Sequence, residues 1–217
     1  ESFDAAKPFS LIYQSDPDLA KTLCVESAVV ITNQACLPLI DPANCCLIVA
    51  SPRIGFAYAL AHLVTAAPVD HDVTGISPLA EIANTAIIHP SATIMPQVLI
   101  GAGTVVEAGT VLHAGVKVGE DCHIRSNSVL SHCLIGNGCE IGAGSVLGAA
   151  GFGFEMTDDG VVKLPHIGLV VIDDFVSIGS GCAIDRGSLG NTYIGAHVMI
   201  DNLCHIAHNV TIGARSI

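Results

Sequence analysis

The chain has 217 residues and a formal charge of −12, with 8 Lys and Arg against 20 Asp and Glu, which argues against a nucleic-acid-binding protein because such proteins need a basic surface. Its mean hydropathy is +0.62, yet no stretch reaches the roughly 18 uninterrupted apolar residues of a spanning helix, so we expect no transmembrane segment. Nine cysteines without a Cys-x-x-Cys pair indicate reduced thiols in a cytoplasmic protein rather than a disulfide framework.

Residues 1–70 have the pattern of a small α/β domain. The short apolar runs FSLIY, SAVVIT and CLIVA predict three strands. Two sites show the cap-then-proline pattern that begins a helix: Ser15 or Asp16 before Pro17, and Ser51 before Pro52. The alternation predicts a compact α/β unit, followed by a linker over residues 71–87.

From residue 88 to 217 a period of six replaces this pattern. Aliphatic residues stand at positions 88, 94, 100, 106, 112, 118, 124 and 130, and the spacing resumes at 135–147, 172–184 and 194–212. An α-helix has 3.6 residues per turn and would scatter such positions around its circumference. The fourth residue after each aliphatic is small or β-branched, so we expect a coil of short strands in which both residues point inward. Four cysteines occupy the small position, and we interpret them as core residues: Cys122, Cys139, Cys182 and Cys204.

This repeat resembles that of the hexapeptide-repeat acyltransferases. The resemblance implies a mainly β fold, a left-handed parallel β-helix of hexapeptide repeats preceded here by the small α/β domain. It also implies a homotrimer with active sites in the clefts between subunits. Since the chain lacks an initial Met and stops within a hexad, we expect it to be a fragment whose β-helix is truncated at the C-terminus.

Two breaks interrupt the repeat. The larger is GAAGFGFEMTDDGVVKLPHIGLVV, between Leu147 and Ile172, in which Phe152 and Phe154 stand among glycines and TDDG predicts a turn. It is either a solvated hairpin or a loop that borders a ligand. The smaller break, DRGSLGNT at residues 185–192, adds four residues before the repeat resumes.

The stretch MIDNLCHIAHNVTIG, residues 199–213, follows both breaks and is rich in polar residues. In the hexad register, Asp201 directly follows the inward Ile200, and His208 lies two residues after the inward Ile206. We therefore expect the side chains of Asp201 and His208 to meet across a corner of the coil. An imidazole titrates near neutrality, and a carboxylate can orient it and stabilise the imidazolium. Asp201 and His208 are therefore the candidate catalytic pair.

A metal site is the alternative role for the histidines of this stretch. Trimeric hexapeptide-repeat carbonic anhydrases bind zinc through three histidines, and here His197, His205 and His208 lie close in sequence. On a β-coil, however, a spacing of three does not place two side chains on one face as it does on a helix. The sequence therefore favours a site without metal.

Four motifs together resemble one branch of the family, the UDP-3-O-(3-hydroxyacyl)glucosamine N-acyltransferases of lipid A biosynthesis. They are GFGF, KLPHIG, IDRGSLGNT and IDNLCHIAHNVTIG, in the order and at the spacing of that branch. The resemblance implies transfer of a 3-hydroxyacyl chain from the phosphopantetheine of acyl carrier protein to the 2-amine of a UDP-sugar lipid precursor. It implies no bound cofactor.

The resemblance also implies roles for individual residues. His208 would deprotonate the amine, Asp201 would orient His208, and Asn202 would contact the hydroxyl of the acyl chain. His205 stands where the branch has Gln and would contact the phosphopantetheine arm or take no part in the reaction, rather than act as a base. The remaining candidates for substrate binding are Asn209, Phe152 and Phe154.

The nucleotide-binding segment departs from the pattern of the branch. In FSLIYQSDP, Gln14 and Pro17 stand where the branch has Asn and Tyr, although Tyr13 and Phe9 are aromatic residues nearby. Three alternatives therefore stay open: a hexapeptide acyltransferase with another acceptor, a zinc carbonic-anhydrase-like protein, and a non-catalytic paralogue.

Overall fold

The computed structural model describes residues 7–21, 23, 25–64 and 74–217. Backbone contacts divide the chain into two compact units: Glu1–Ala67 with Gly153–Pro165, and Pro68–Phe152 with His166–Ile217. We call the first the small unit and the second the coil unit. No helix of the described residues is both long enough and apolar enough to cross a membrane.

The strands are short, most of them two residues in the coil unit. In chain order they are β1 Leu11–Gln14, β2 Val29–Thr32, β3 Cys45–Ile48, β4 Glu81–Ile82, β5 Ile87–Ile88, β6 Thr93–Ile94, β7 Leu99–Ile100, β8 Val105–Val106, β9 Val111–Leu112, β10 Lys117–Val118, β11 His123–Ile124, β12 Val129–Leu130, β13 Cys133–Ile135, β14 Glu140–Ile141, β15 Val146–Ala150, β16 Phe154–Thr157, β17 Gly160–Lys163, β18 Val170–Ile172, β19 Ser177–Ile178, β20 Ala183–Arg186, β21 Thr192–Ile194, β22 Met199–Ile200, β23 His205–Ile206 and β24 Thr211–Ile212. The helices are α1 Pro17–Ala20 and α2 Pro52–Leu63, with a 3-10 turn at Leu37–Leu39.

The small unit is built on a parallel sheet in which β2 lies between β1 and β3. The predicted strands and helices are all present. Asp16 caps α1, since its Oδ1 accepts a hydrogen bond from the backbone N–H of Asp18 at 2.8 Å. Ser51 occupies the N-cap of α2 without a side-chain hydrogen bond.

The larger break in the repeat completes the small unit. Strands β16 and β17 form an antiparallel hairpin with its turn at residues 158–159, where TDDG predicted one. The hairpin packs beside α2, and Arg53 Nε lies 2.7 Å from Glu155 Oε1. The solvated hairpin proposed from the sequence is thus a structural part of the α/β unit.

The coil unit has three faces, and each face is a sheet of parallel strands. Every coil contributes one strand to each face. The first face holds β4, β7, β10, β13, β18, β21 and β24; the second holds β5, β8, β11, β14, β19 and β22; the third holds β6, β9, β12, β15, β20 and β23. Strands 18 residues apart pair in register, as Val105 and His123 do. The predicted fold class is confirmed as a mainly β chain with a parallel β-helix of hexapeptide repeats after a small α/β unit.

The coil begins earlier than residue 88. Glu81–Ile82 already pairs with β7, and Ile76 bridges to Ile94, so the described part of the segment predicted as a linker (74–87) carries coil structure. The reason is visible in the sequence, because Ile76 and Ile82 continue the spacing of six backwards from Ile88. Residues 71–73 lie outside the described residues.

The core of the coil unit is formed by the inward positions. The inward aliphatic residues from Ile94 to Ile194 are almost fully buried, whereas those of the first and last coils, such as Ile88 and Ile206, are partly buried. Cys122, Cys139 and Cys182 are 1–2% exposed, which confirms them as core residues. Cys204 is half-buried and packs against this core.

The small inward residues also link successive coils by hydrogen bonds. Their O–H or S–H groups donate to the carbonyl that follows the inward aliphatic one coil further on: Thr104 to Gly119, Thr110 to Arg125, Cys122 to Gly136, Ser128 to Gly142, Cys139 to Asp173, Ser145 to Gly179 and Cys182 to Asp201, at 2.7–3.1 Å. These donors satisfy corner carbonyls that no strand pairing reaches. A small polar side chain therefore suits this position both in size and in chemistry.

Candidate active site

His208 lies at the corner where the chain passes from the third face to the first, between β23 and β24. Its ring packs on the backbone of Gly151, which follows β15 near the start of the larger break: a Cβ at that glycine would lie 2.7 Å from His208 Cδ2. The edge of the buried His166 ring meets it where the chain returns, with ring centroids 4.9 Å apart. His208 thus sits between the two ends of the break.

Asn209 joins His208 to the smaller break. Its Oδ1 accepts a hydrogen bond from the backbone N–H of Ser188 at 2.8 Å, and its Nδ2 donates to Ser188 Oγ at 2.8 Å. The same Nδ2 lies 2.9 Å from His208 Nδ1. Ser188 is half-buried rather than inward, contrary to the hexad prediction, because the added residues carry it out of register. We call Gly151, His166, Ser188, His208 and Asn209 the His208 cluster.

Asp201 does not reach His208 as the sequence predicted. It lies one corner earlier, between the second and third faces, and its Oδ1 accepts hydrogen bonds from Asn202 N at 2.7 Å and Asn202 Nδ2 at 3.1 Å. Among the described residues no hydrogen bond or ion pair joins Asp201 to His208. The intervening residues span the third face through β23, which separates the two corners.

Asn202 is fixed by its neighbours and lines a groove. Its Oδ1 accepts from Ser180 N at 2.7 Å, one coil earlier. The groove, about 490 Å³ in volume, follows the corner between the second and third faces from Arg125 to Asn202. Its floor includes Gly142 and Gly179, so the corner is open where side chains are absent.

His205, not His208, has the carboxylate partner. His205 Nε2 lies 3.1 Å from Asp185 Oδ2, and the side chain of Asp185 is 13% exposed against 62% for His205. Sequence reasoning treated Asp185 only as the start of a break and missed this pair. The register of β20 with β23, Ala183 opposite His205, brings the two together.

The other predicted residues lie apart from these pairs. Phe152, 84% exposed, follows Gly151 in the coil unit, and Phe154 begins β16 in the small unit. His197 stacks on Phe175 with ring centroids 5.1 Å apart. Within the described ranges, no group of three His, Cys, Asp or Glu side chains is placed to hold a metal ion.

A second polar cluster lies at the far end of the groove. Glu107 Oε2 accepts from Ser126 Oγ at 2.7 Å, and Glu107 Oε1 lies 2.6 Å from His123 Nε2. These hydrogen bonds, that of Ser126 first, lower the pKa of the Glu107 carboxyl to about 2. Arg125 pairs with Glu140 at 2.6 Å beside it.

Comparison with known proteins finds one family profile and a set of similar enzymes. Residues 75–155 match a protein-family profile described as the GMPPB C-terminal domain. The UDP-3-O-acylglucosamine N-acyltransferase of Caulobacter vibrioides is 41% identical over 96 residues, 44% of this chain and 28% of that protein. That of Azorhizobium caulinodans is 47% identical over 88 residues, 41% of this chain and 25% of that protein. These relatives confirm the resemblance that the motifs indicated. The matched region spans less than a third of the length of each relative.

Two solved structures that the chain matches in part are named as acyltransferases. A UDP-N-acetylglucosamine acyltransferase from Bacteroides fragilis is 28% identical, with 64% of this chain and 48% of that chain covered and a TM-score of 0.40. The GDP-perosamine N-acetyl transferase of Caulobacter crescentus, solved with CoA and GDP-perosamine, is 13% identical, with 94% and 90% covered and a TM-score of 0.41.

Proposed function

We propose that this chain is part of an N-acyltransferase that moves a 3-hydroxyacyl group from acyl carrier protein to the 2-amine of a UDP-3-O-acyl-glucosamine. The observation that carries the proposal is the identity of 41–47% to proteins bearing that name. The His208 cluster supports it, because it supplies an imidazole packed on Gly151, the residue before the exposed Phe152.

In the proposed reaction the amine nitrogen attacks the thioester carbonyl carbon. The new N–C bond forms, the C–S bond breaks, and the proton lost by the amine passes to His208. The imidazolium then returns this proton to the departing thiolate, so the phosphopantetheine thiol and the amide are the products. A thioester needs little activation of the nucleophile, and one general base contributing about 10²–10⁴ suits this chemistry.

The neighbouring residues take roles that follow their contacts. Asn202 contacts the hydroxyl of the acyl chain from the wall of the groove, and Asp201 acts by holding the amide of Asn202. His205, oriented by Asp185, contacts the phosphopantetheine arm. Phe152 borders the substrate. We further propose that the protein acts in the cytoplasm as a homotrimer, with acyl carrier protein and the UDP-sugar lipid as its partners and no bound cofactor.

The test is an acyl-transfer assay on the full-length protein with acyl-loaded carrier protein and the UDP-sugar acceptor. His208→Ala is expected to lower kcat by several hundred-fold, the size of a lost general base. His197→Ala is the matched control, because it removes an imidazole stacked on Phe175 outside the His208 cluster. Near-normal kcat in His208→Ala would contradict the role of His208, and absence of transfer by the unaltered protein would contradict the proposed function.

A further inference from the structure

We infer that Asn209 is a positioning residue that holds the neutral imidazole of His208 in one tautomer, with its proton on Nε2. The catalytic consequence drawn below rests on the proposed function. The tautomer itself follows from hydrogen bonds around the side-chain amide of Asn209 and stands without it.

The orientation of the Asn209 amide is settled by a group that can only donate. The backbone N–H of Ser188 points at one amide atom from 2.8 Å, and this atom must be the oxygen, because a second donor there would be repelled. The amide nitrogen therefore lies on the opposite branch, where it donates to Ser188 Oγ. The backbone of Asn209 is held as well, since its N–H donates to Thr192 Oγ1 at 3.0 Å.

The fixed amide determines the state of the imidazole. Asn209 Nδ2 faces His208 Nδ1 at 2.9 Å and has only protons to offer, so Nδ1 must present its lone pair. A neutral imidazole carries one N–H, which is then on Nε2. In the part of the chain that the structure describes, Nε2 of His208 has no hydrogen-bond partner and is not sealed from solvent. It is thus the atom that meets a ligand, and until its proton moves to Nδ1 it meets the ligand as a donor.

This tautomer limits general-base catalysis at Nε2. To take a proton there, His208 must first move its own proton to Nδ1, which opposes the N–H of Asn209. An aspartate at position 209 removes the conflict, because its oxygens can accept both from Ser188 N–H and from Nδ1–H. It has the same shape, and Asp tolerates the left-handed backbone of Asn209, where φ is 63°. Asn209→Asp therefore frees the Nε2 lone pair.

The experiment measures the tautomer and the rate separately. The full chain, labelled with ¹⁵N at histidine, is studied by long-range ¹H–¹⁵N NMR near pH 8.5, above the ordinary imidazole pKa of about 6.5. His208→Gln identifies the signals of His208. We expect protonated Nε2 in the unaltered protein and in Ser188→Ala, which keeps the backbone N–H, and protonated Nδ1 in Asn209→Asp. Protonated Nδ1 in the unaltered protein overturns the inference.

In the acyl-transfer assay, Asn209→Asp is expected to raise kcat about five- to tenfold, the factor that corresponds to one ordinary hydrogen bond. An unchanged or lower kcat, with the tautomer switched and His208→Ala inactive, overturns the catalytic consequence. If His208→Ala retains its activity while the tautomer is as inferred, the role proposed for His208 fails and the position of the proton stands.

Discussion

Replacing Ser145 by Ala tests the hydrogen bonds that link successive coils. Ser145 is fully buried, its Oγ donates to Gly179 O at 2.9 Å, and the same oxygen accepts from Cys182 N at 3.1 Å. Alanine fits the space but leaves the half-buried carbonyl of Gly179 and the buried N–H of Cys182 without these partners. Each such group costs about 1–3 kcal/mol, and the two are not fully additive, so we expect the free energy of unfolding to fall by about 2–4 kcal/mol.

The assay is equilibrium unfolding in urea, followed by far-UV circular dichroism. Ser145→Cys is the matched control, because Cys182 occupies the same hexad position one coil later and its thiol donates in the same way. We expect this variant to unfold within about 1 kcal/mol of the unaltered chain, since it keeps a donor and an acceptor. Equal stability of Ser145→Ala and the unaltered chain, or equal losses in both variants, would refute the reasoning.

Two further predictions concern the His208 cluster and the groove. Gly151→Ala places a methyl group 2.7 Å from the ring of His208, and a displacement approaching 1 Å should lower kcat in the acyl-transfer assay by about 100-fold. Gly213→Ala, with open space around its Cβ, should leave kcat unchanged; equal effects would contradict the steric argument. Because the folded pKa of Glu107 is about 2, below the ordinary 4.5, its contribution to stability is present above pH 4.5 and is lost as pH falls towards 2. Glu107→Gln should therefore lose less Tm than the unaltered chain between pH 4.5 and about 2. If the two proteins lose Tm equally over this range, the contribution assigned to Glu107 is wrong.

The β-helix could be predicted because it depends on one local rule. Each hexad buries its aliphatic residue and the fourth residue after it, as at Ile94 and Val98. The period of six can therefore be recognised in the sequence itself. The start of the coil was placed too late although Ile76 and Ile82 obey the same rule, because two repeats among loop residues are a weak signal. The hydrogen bonds donated by the small inward residues could not be predicted in this way. The repeat specifies only a small side chain at that position, and a thiol and a methyl group fit it equally well.

The sequence predicted which polar residues face outward near the breaks, but not which of them are in contact. Hexad counting placed Asp201 beside His208, yet the contact partners are set by the lengths of the two breaks, which bring Ser188 to Asn209 and Asp185 to His205. Such contacts join residues about twenty positions apart, on successive coils. Periodicity fixes which residues face outward, and only the folded breaks decide which of them meet.

The hairpin of β16 and β17 has a consequence for how the protein is made. The small unit gains its last two strands only after residue 163 is synthesised, although its three parallel strands end at Ile48. While strands β4 to β15 emerge from the ribosome, the surface of α2 that packs beside β17 stays uncovered. Variants that delay the early coils should prolong this exposure, so aggregation during translation, rather than the stability of the finished protein, would be the first property to suffer.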